Sequence, residues 1–137
     1  MITFLPYADF NAVARVLDDK RLGQQRREAL WVLNHVLRQT NVKAVAVRFW
    51  NGYQCLLTSY ILSMCHEWQD RGNTDNIESI VYELGVEPSL NQKPLWLGDA
   101  EFHRSHQSNL KRKNPVHYHM FDVPNNLPYI WPEDENG

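Results

Sequence analysis

From Leu22 onward the apolar positions Leu22, Ala29, Leu30, Leu33, Val36 and Leu37 recur at intervals of three and four, with Arg and Gln opposite them. Such spacing lays one apolar stripe along a helix, because 3.6 residues make a turn. Asp18 or Asp19 can cap its start, and Asp9 can cap a shorter helix before it that ends near Asp18. From Gly52 to about Asp70, Leu57, Tyr60, Ile61, Met64 and Trp68 repeat the pattern, until Gly72-Asn73 stops the chain. Trp50, Tyr53, Tyr60 and Trp68 share a stripe there and read as core. Asn76 to Leu84 predicts another short helix closed by Gly85, and Pro88 and Pro94 frame a loop. Asp99 caps a helix running to about Lys113, which Asn114-Pro115 ends. Pro124, Pro128 and Pro132 predict an irregular C-terminal strap, with Leu127, Tyr129, Ile130 and Trp131 packed on the body. No alternating strand pattern, repeat or long linker intervenes. The expectation is a single compact all-α domain over residues 1–137.

Composition narrows the class without changing this picture. Hydrophobic residues at 43% and charged residues at 22% of 137 positions exclude a disordered tail, a collagen-like polymer and a coiled-coil rod. No apolar run approaches the ~20 residues of a membrane span, and the start lacks the basic and long apolar regions of a signal peptide, so a soluble, cytoplasmic protein is expected. Cys55 and Cys65 lie on one predicted helix about 15 Å apart along its axis, too far to pair with each other.

The net charge of −2 hides an uneven distribution. Arg15, Lys20, Arg21, Arg26 and Arg27 outnumber Asp18, Asp19 and Glu28 in one segment; Arg104, Lys111, Arg112 and Lys113 outnumber Asp99 and Glu101 in another, beside His103, His106, His117 and His119. Acidic residues concentrate between Asp70 and Glu87 and in the tail at Glu133, Asp134 and Glu135. If the two basic segments meet in space, they form a footprint for phosphates. On the second helix, Arg21, Gln24, Glu28, Trp31 and His35 fall on one face beside Lys20 and Arg27. Periodicity alone makes this a solvated surface. The functional alternative is a cationic, aromatic-lined groove in which basic groups hold phosphates, Trp31 offers a stacking or wedge surface and Glu28 acts at the sugar. His103 and His106, spaced i,i+3, suit phosphate contact or capping. No third ligand accompanies them to make a metal site. Ser105 and Ser108 lack the surroundings of a nucleophile.

The stretch Val16-Leu17-Asp18-Asp19-Lys20-Arg21-Leu22-Gly23-Gln24-Gln25-Arg26-Arg27-Glu28-Ala29-Leu30 resembles the helix that bears the Arg-Glu pair in the phage-type pyrimidine dimer DNA glycosylases. Resemblance to the bacterial proteins of that family extends to Thr3-Phe4-Leu5-Pro6-Tyr7, Trp96-Leu97-Gly98-Asp99, His103-Arg104-Ser105-His106 and Lys113-Asn114-Pro115-Val116-His117-Tyr118, and so covers most of the chain. It implies a small all-α repair enzyme, a glycosylase with AP-lyase activity that needs neither metal nor cofactor. An unprotonated amine attacks the sugar C1′, the damaged pyrimidine leaves, and the resulting imine permits β-elimination of the 3′ phosphate. By this resemblance Glu28 is the catalytic carboxylate and Arg27 holds phosphate. Phage members expose an N-terminal Thr by removing Met; here Ile2 protects Met1, so the expected nucleophile is the amine of Met1, with Lys20 as the other candidate. The expected DNA contacts are Lys20, Arg21, Gln24, Arg27, Trp31, His103, Arg104, His106, Lys111 and Arg112, on double-stranded damaged DNA bound by a monomer. The rival readings are a non-catalytic nucleic-acid-binding module, in which Glu28 merely orders the arginines, and a metal-dependent nuclease using the histidines.

Overall fold

Aspartates start three of the helices. In the computed structural model, which describes residues 2–39 and 43–132, the Asp9 carboxylate accepts from the amides of Asn11 and Ala12 and opens α1, Phe10–Val16. Asp18 accepts from the Arg21 amide and opens α2, Asp19–Arg38, which closes on Gln39 in the left-handed region at φ 52°. Asp99 accepts from Glu101 and Phe102 and opens the terminal helix. Each cap satisfies amide groups that a helix start leaves without partners. Between them lie α3, Val45–Trp50, α4, Gln54–Asp70, and α5, Glu78–Glu83; the terminal helix, Ala100–Lys113, is α6. The described residues contain no strand, so the all-α expectation holds. None of their helices is long and apolar enough to cross a membrane. Met1 and the acidic tail residues Glu133, Asp134 and Glu135 lie outside the described residues.

Helix α3 is absent from the periodicity reading. It spans six residues, has no side-chain cap, and buries Ala46, Val47, Phe49 and Trp50. Tertiary burial stabilises so short a helix, since local propensity cannot. Cys55 and Cys65 both sit on α4 as free thiols.

Helix α2 packs chiefly on α4, with α3 also against α2 and with α1 and α5 against α4. Leu22, Ala29, Leu33 and Val36 of the expected stripe are buried, whereas Leu30 is half-buried and Leu37 is 37% exposed. The contact with α4 is close at Gly23, where an added Cβ would lie 3.0 Å from the Trp68 ring. Arg26, expected to belong to a basic surface, is instead buried: its guanidinium lies 4.6 Å from the Trp68 ring centroid and pairs with Asp75. Of the four aromatics read as core, Trp50 and Tyr60 are fully buried and Tyr53 and Trp68 are half-buried.

Two segments without regular structure pack on the helices. Residues 121–132 lie on α6, with the Leu127 and Ile130 amides donating to the hydroxyls of Ser108 and Ser105. Leu127, Tyr129 and Trp131 are half-buried. Ile130, expected to pack inward, is 39% exposed between the half-buried Tyr129 and Trp131. The second segment, residues 2–6, sets up the site described next.

Candidate active site

Positions 20, 24 and 28 recur every four residues and 21 precedes 24 by three, so α2 presents Lys20, Arg21, Gln24 and Glu28 on one face. These four side chains line a pocket of about 250 Å³, completed by Ile2, Phe4 and Lys113. Three cations therefore surround a single carboxylate. Arg21 leans toward Asp18, with 3.3 Å between Nη1 and Oδ1. Burial works against the Asp18 charge, but the Tyr118 hydroxyl and Arg21 outweigh it and hold the carboxyl below its usual range.

Lys113 reaches this pocket from the far end of α6. The helix ends at Asn114, whose Oδ1 accepts from the His117 amide at 3.1 Å. A ring nitrogen of His117 lies 2.8 Å from the Val16 carbonyl. The Tyr118 hydroxyl accepts from the Asp18 amide at 3.0 Å and donates to the Asp18 carboxylate. The turn after α6 is thus fastened to the start of α2, which brings the last cation of one helix to the first turns of the other. Burial, then the Asp18 contact, raises the Tyr118 pKa and keeps its phenol a donor.

The opposite wall is the N-terminal segment, and side chains of four helices hold it. From α2, Gln25 donates from Nε2 to the Ile2 carbonyl at 2.8 Å and accepts at Oε1 from the Phe4 amide at 3.1 Å. From α3, the Trp50 indole N–H donates to the Thr3 hydroxyl at 2.9 Å. From α4, the Tyr60 hydroxyl lies 2.8 Å from the Phe4 carbonyl and 2.7 Å from Gln25 Oε1. From α6, His106 Nδ1 accepts from the Leu5 amide at 3.0 Å, His103 Nδ1 donates to the Leu5 carbonyl at 2.7 Å, and Gln107 donates to the Pro6 carbonyl at 2.8 Å. Thr3, Phe4, Leu5 and Pro6 are buried and Ile2 emerges half-buried at the pocket. A buried chain outside any ladder must bond its peptide groups to side chains. This one does so at Ile2, Phe4, Leu5 and Pro6.

Of the residues expected to contact DNA, Lys20, Arg21 and Gln24 come together around Glu28. Arg27 is exposed beside it on α2, and Arg104 is exposed on α6. Trp31 is half-buried, with its ring centroid 4.0 Å from that of His35. His103 and His106 are both buried, His106 completely; His106 Nδ1 serves the Leu5 amide, and the two His103 ring nitrogens serve the Leu5 carbonyl and the Gly98 amide. Burial lowers both pKa values, that of His106 to about 3, so the rings are neutral. Among the described residues no three His, Cys, Asp or Glu side chains converge to hold a metal. Lys111 bonds to the Phe121 and Val123 carbonyls, and Arg112 to the Asn125 carbonyl and Asn109, so both act on the chain itself.

Sequence reasoning missed Lys113 and Gln25 as site residues. Lys113 stands next to the Asn-Pro that ends α6, a signal for a helix end but not for its destination. Gln25 carried a better signal: it follows Leu22 by three and precedes Ala29 by four, which puts an amide on the apolar stripe. A polar group there must find partners inside.

A family model described as pyrimidine dimer DNA glycosylase matches residues 1–81, a stretch that includes Ile2, Phe4 and all of α2 but not Lys113. No curated protein and no solved structure matches the chain.

Proposed function

Since the chain belongs to the pyrimidine dimer DNA glycosylase family, we propose that it excises a damaged pyrimidine from duplex DNA through an amine nucleophile and Glu28, and then cleaves the abasic strand as a lyase. The observation that carries this reading is the position of Glu28: one carboxylate among Lys20, Arg21 and Lys113, in a pocket whose opposite wall is Ile2. A glycosidic bond breaks with positive charge building on the sugar, which a nearby carboxylate stabilises. Cations around that carboxylate hold the flanking phosphates.

In the first step the amine lone pair forms a bond to C1′ as the C1′–base bond breaks, and the base leaves with the bonding electrons and gains a proton. Opening of the sugar ring gives an imine. Loss of a C2′ proton then expels the 3′ phosphate with the C3′–O electrons, and hydrolysis of the imine frees the amine. Glu28 stabilises the developing cation and moves the protons. The Met1 α-amine suits the attack because its reference pKa of about 8 leaves a neutral fraction at pH 7 that a lysine at about 10.4 lacks. Ile2, which follows Met1, lines the Glu28 pocket and its carbonyl is held by Gln25, which supports Met1 over Lys20. Lys20, Arg21, Arg27 and Lys113 are the phosphate contacts of this reading.

Borohydride reduction in the presence of abasic duplex DNA tests it. The expected product is a covalent protein–DNA adduct that maps to the Met1 peptide and fails to form when the α-amine is acetylated. An adduct at Lys20 would replace the nucleophile and leave the lyase. Base release without any adduct would make water the nucleophile.

A further inference from the structure

We propose that Gln25 is a positioning residue that sets the distance between the Glu28 carboxylate and the N-terminal segment, so that one amide aligns both partners of the reaction. The proposal rests on the reading of Glu28 and an N-terminal amine given above, and adds the element that joins them.

Gln25 is 1% exposed, and both ends of its amide have partners. Nε2 has two hydrogens: one goes to the Ile2 carbonyl at 2.8 Å and the other toward Glu28 Oε2 at 3.4 Å. Oε1 has two lone pairs: one accepts the Phe4 amide at 3.1 Å, and the other faces the Tyr60 hydroxyl at 2.7 Å. Its orientation is unambiguous, because a peptide N–H donates only and a peptide carbonyl accepts only. Tyr60 is fully buried, and burial, with the Glu28 charge adding to it, raises its pKa and keeps the phenol protonated as a donor.

A buried glutamine that merely filled space would be better replaced by leucine, since an amide must recover its lost hydration through bonds. Here the bonds have a direction. The same nitrogen restrains the segment that follows Met1 and the carboxylate three residues further along α2, one helical turn away. Neither the oxygen pair at Phe4 and Tyr60 nor the nitrogen pair can shift without the other. A fixed amide thus holds two groups that must act on one sugar carbon, and misplacement of reacting groups by about 1 Å costs on the order of 100-fold in rate.

Gln25→Glu is the discriminating variant, because it keeps the shape and replaces the donor nitrogen with an oxygen. Above neutral pH the new carboxylate faces the Ile2 carbonyl and Glu28, and two carboxylates at such a distance share one proton as pH falls. The other titratable groups around this pair are the Tyr60 phenol from α4, which faces the amide, and Lys20 and Arg21 from α2 and Lys113 from the end of α6, which line the Glu28 pocket.

Single-turnover trapping on abasic duplex DNA is measured against pH, alongside DNA affinity and thermal unfolding. The expected result is a rate reduced by about 100-fold at pH 8 with DNA affinity within about threefold of wild type, and a variant-to-wild-type rate ratio that rises as pH falls to 5.5. Gln25→Met, which keeps the length and removes every bond, should lose the rate without the pH-dependent recovery. A ratio that stays flat with pH, or a loss of affinity equal to the loss of rate, overturns the proposal. Failure of the underlying reading is separately visible, as a wild-type protein that forms no adduct or a Glu28→Gln variant that retains full turnover.

Discussion

Helices α2 and α6 both begin on an aspartate cap and both carry a run of cations, but they use them differently. On α2, Lys20 and Arg21 turn toward a pocket shared with Gln24 and Glu28. On α6, His103 and His106 are buried against Leu5, and Lys111 and Arg112 bond to carbonyls of the segment that follows. The polar side of α6 bonds to the chain itself, and that of α2 lines an open pocket. Lys113, the last residue of α6, is the exception: it lines the α2 pocket, where Tyr118 and His117 fasten the next turn to Asp18 and Val16. A cation near a backbone carbonyl has a partner before any phosphate arrives, so charge along a sequence does not equal charge on a binding surface.

Removing the charge of Glu28 tests the functional half of this contrast and has the largest expected effect. Glu28→Gln should lower base release by about 100-fold to 10,000-fold, the range for a positioned acid or base, while DNA affinity is retained. Comparing single-turnover rates with binding isotherms on lesion-containing duplex checks this. Equal losses of both would make Glu28 an organiser of its arginines rather than a participant in the chemistry.

The structural half breaks at His106. Truncation to Ala leaves a cavity between Leu5, Phe102 and Trp131 and strands the Leu5 amide, at a cost of about 3 kcal/mol in unfolding free energy. Urea unfolding measures this cost. The salt slope of DNA binding by the remaining folded protein should not change; a reduced slope would return His106 to the phosphate contacts.

Acid sharpens the same distinction. The folded-state pKa of His106 lies at about 3, below the unfolded value near 6.5, and that of His103 is lowered as well. The folded protein therefore binds fewer protons than the unfolded chain as pH falls. Stability from these two groups is greatest above the unfolded pKa and decreases below it toward the folded pKa, by up to about 1.4 kcal/mol per pH unit for His106, with His103 acting in the same direction. Urea midpoints between pH 7.5 and 4.5 should show the decline, and His106→Gln should make it shallower. Asp18 and Asp75, whose pKa values are held low, lose their contribution in a more acidic window.

The smallest effects separate two lysines two residues apart. Lys113→Ala should reduce the slope of log K against log salt by about 0.9, the effect of one duplex phosphate contact. Lys111→Ala should leave the slope alone and cost about 1 kcal/mol of stability through its lost bonds to Phe121 and Val123. Equal slopes for both variants would erase the difference between the helices.

Local signals determined a large part of this protein. The caps at Asp9, Asp18 and Asp99, the stripes of α2 and α4 and the Asn-Pro after α6 are read within a few residues, because capping and amphipathicity act over one or two helical turns. The face that gathers Lys20, Arg21, Gln24 and Glu28 was legible for the same reason. Packing decided the rest. Helix α3 exists because Phe49 and Trp50 are buried, Arg26 turned inward to Asp75 and Trp68, and the histidines of α6 became ligands for a peptide some 100 residues earlier. Whether a polar side chain serves solvent, a substrate or the backbone depends on which distant segment lies within about 3 Å of it. Periodicity carries no information about such a distance, and the folded chain alone sets it.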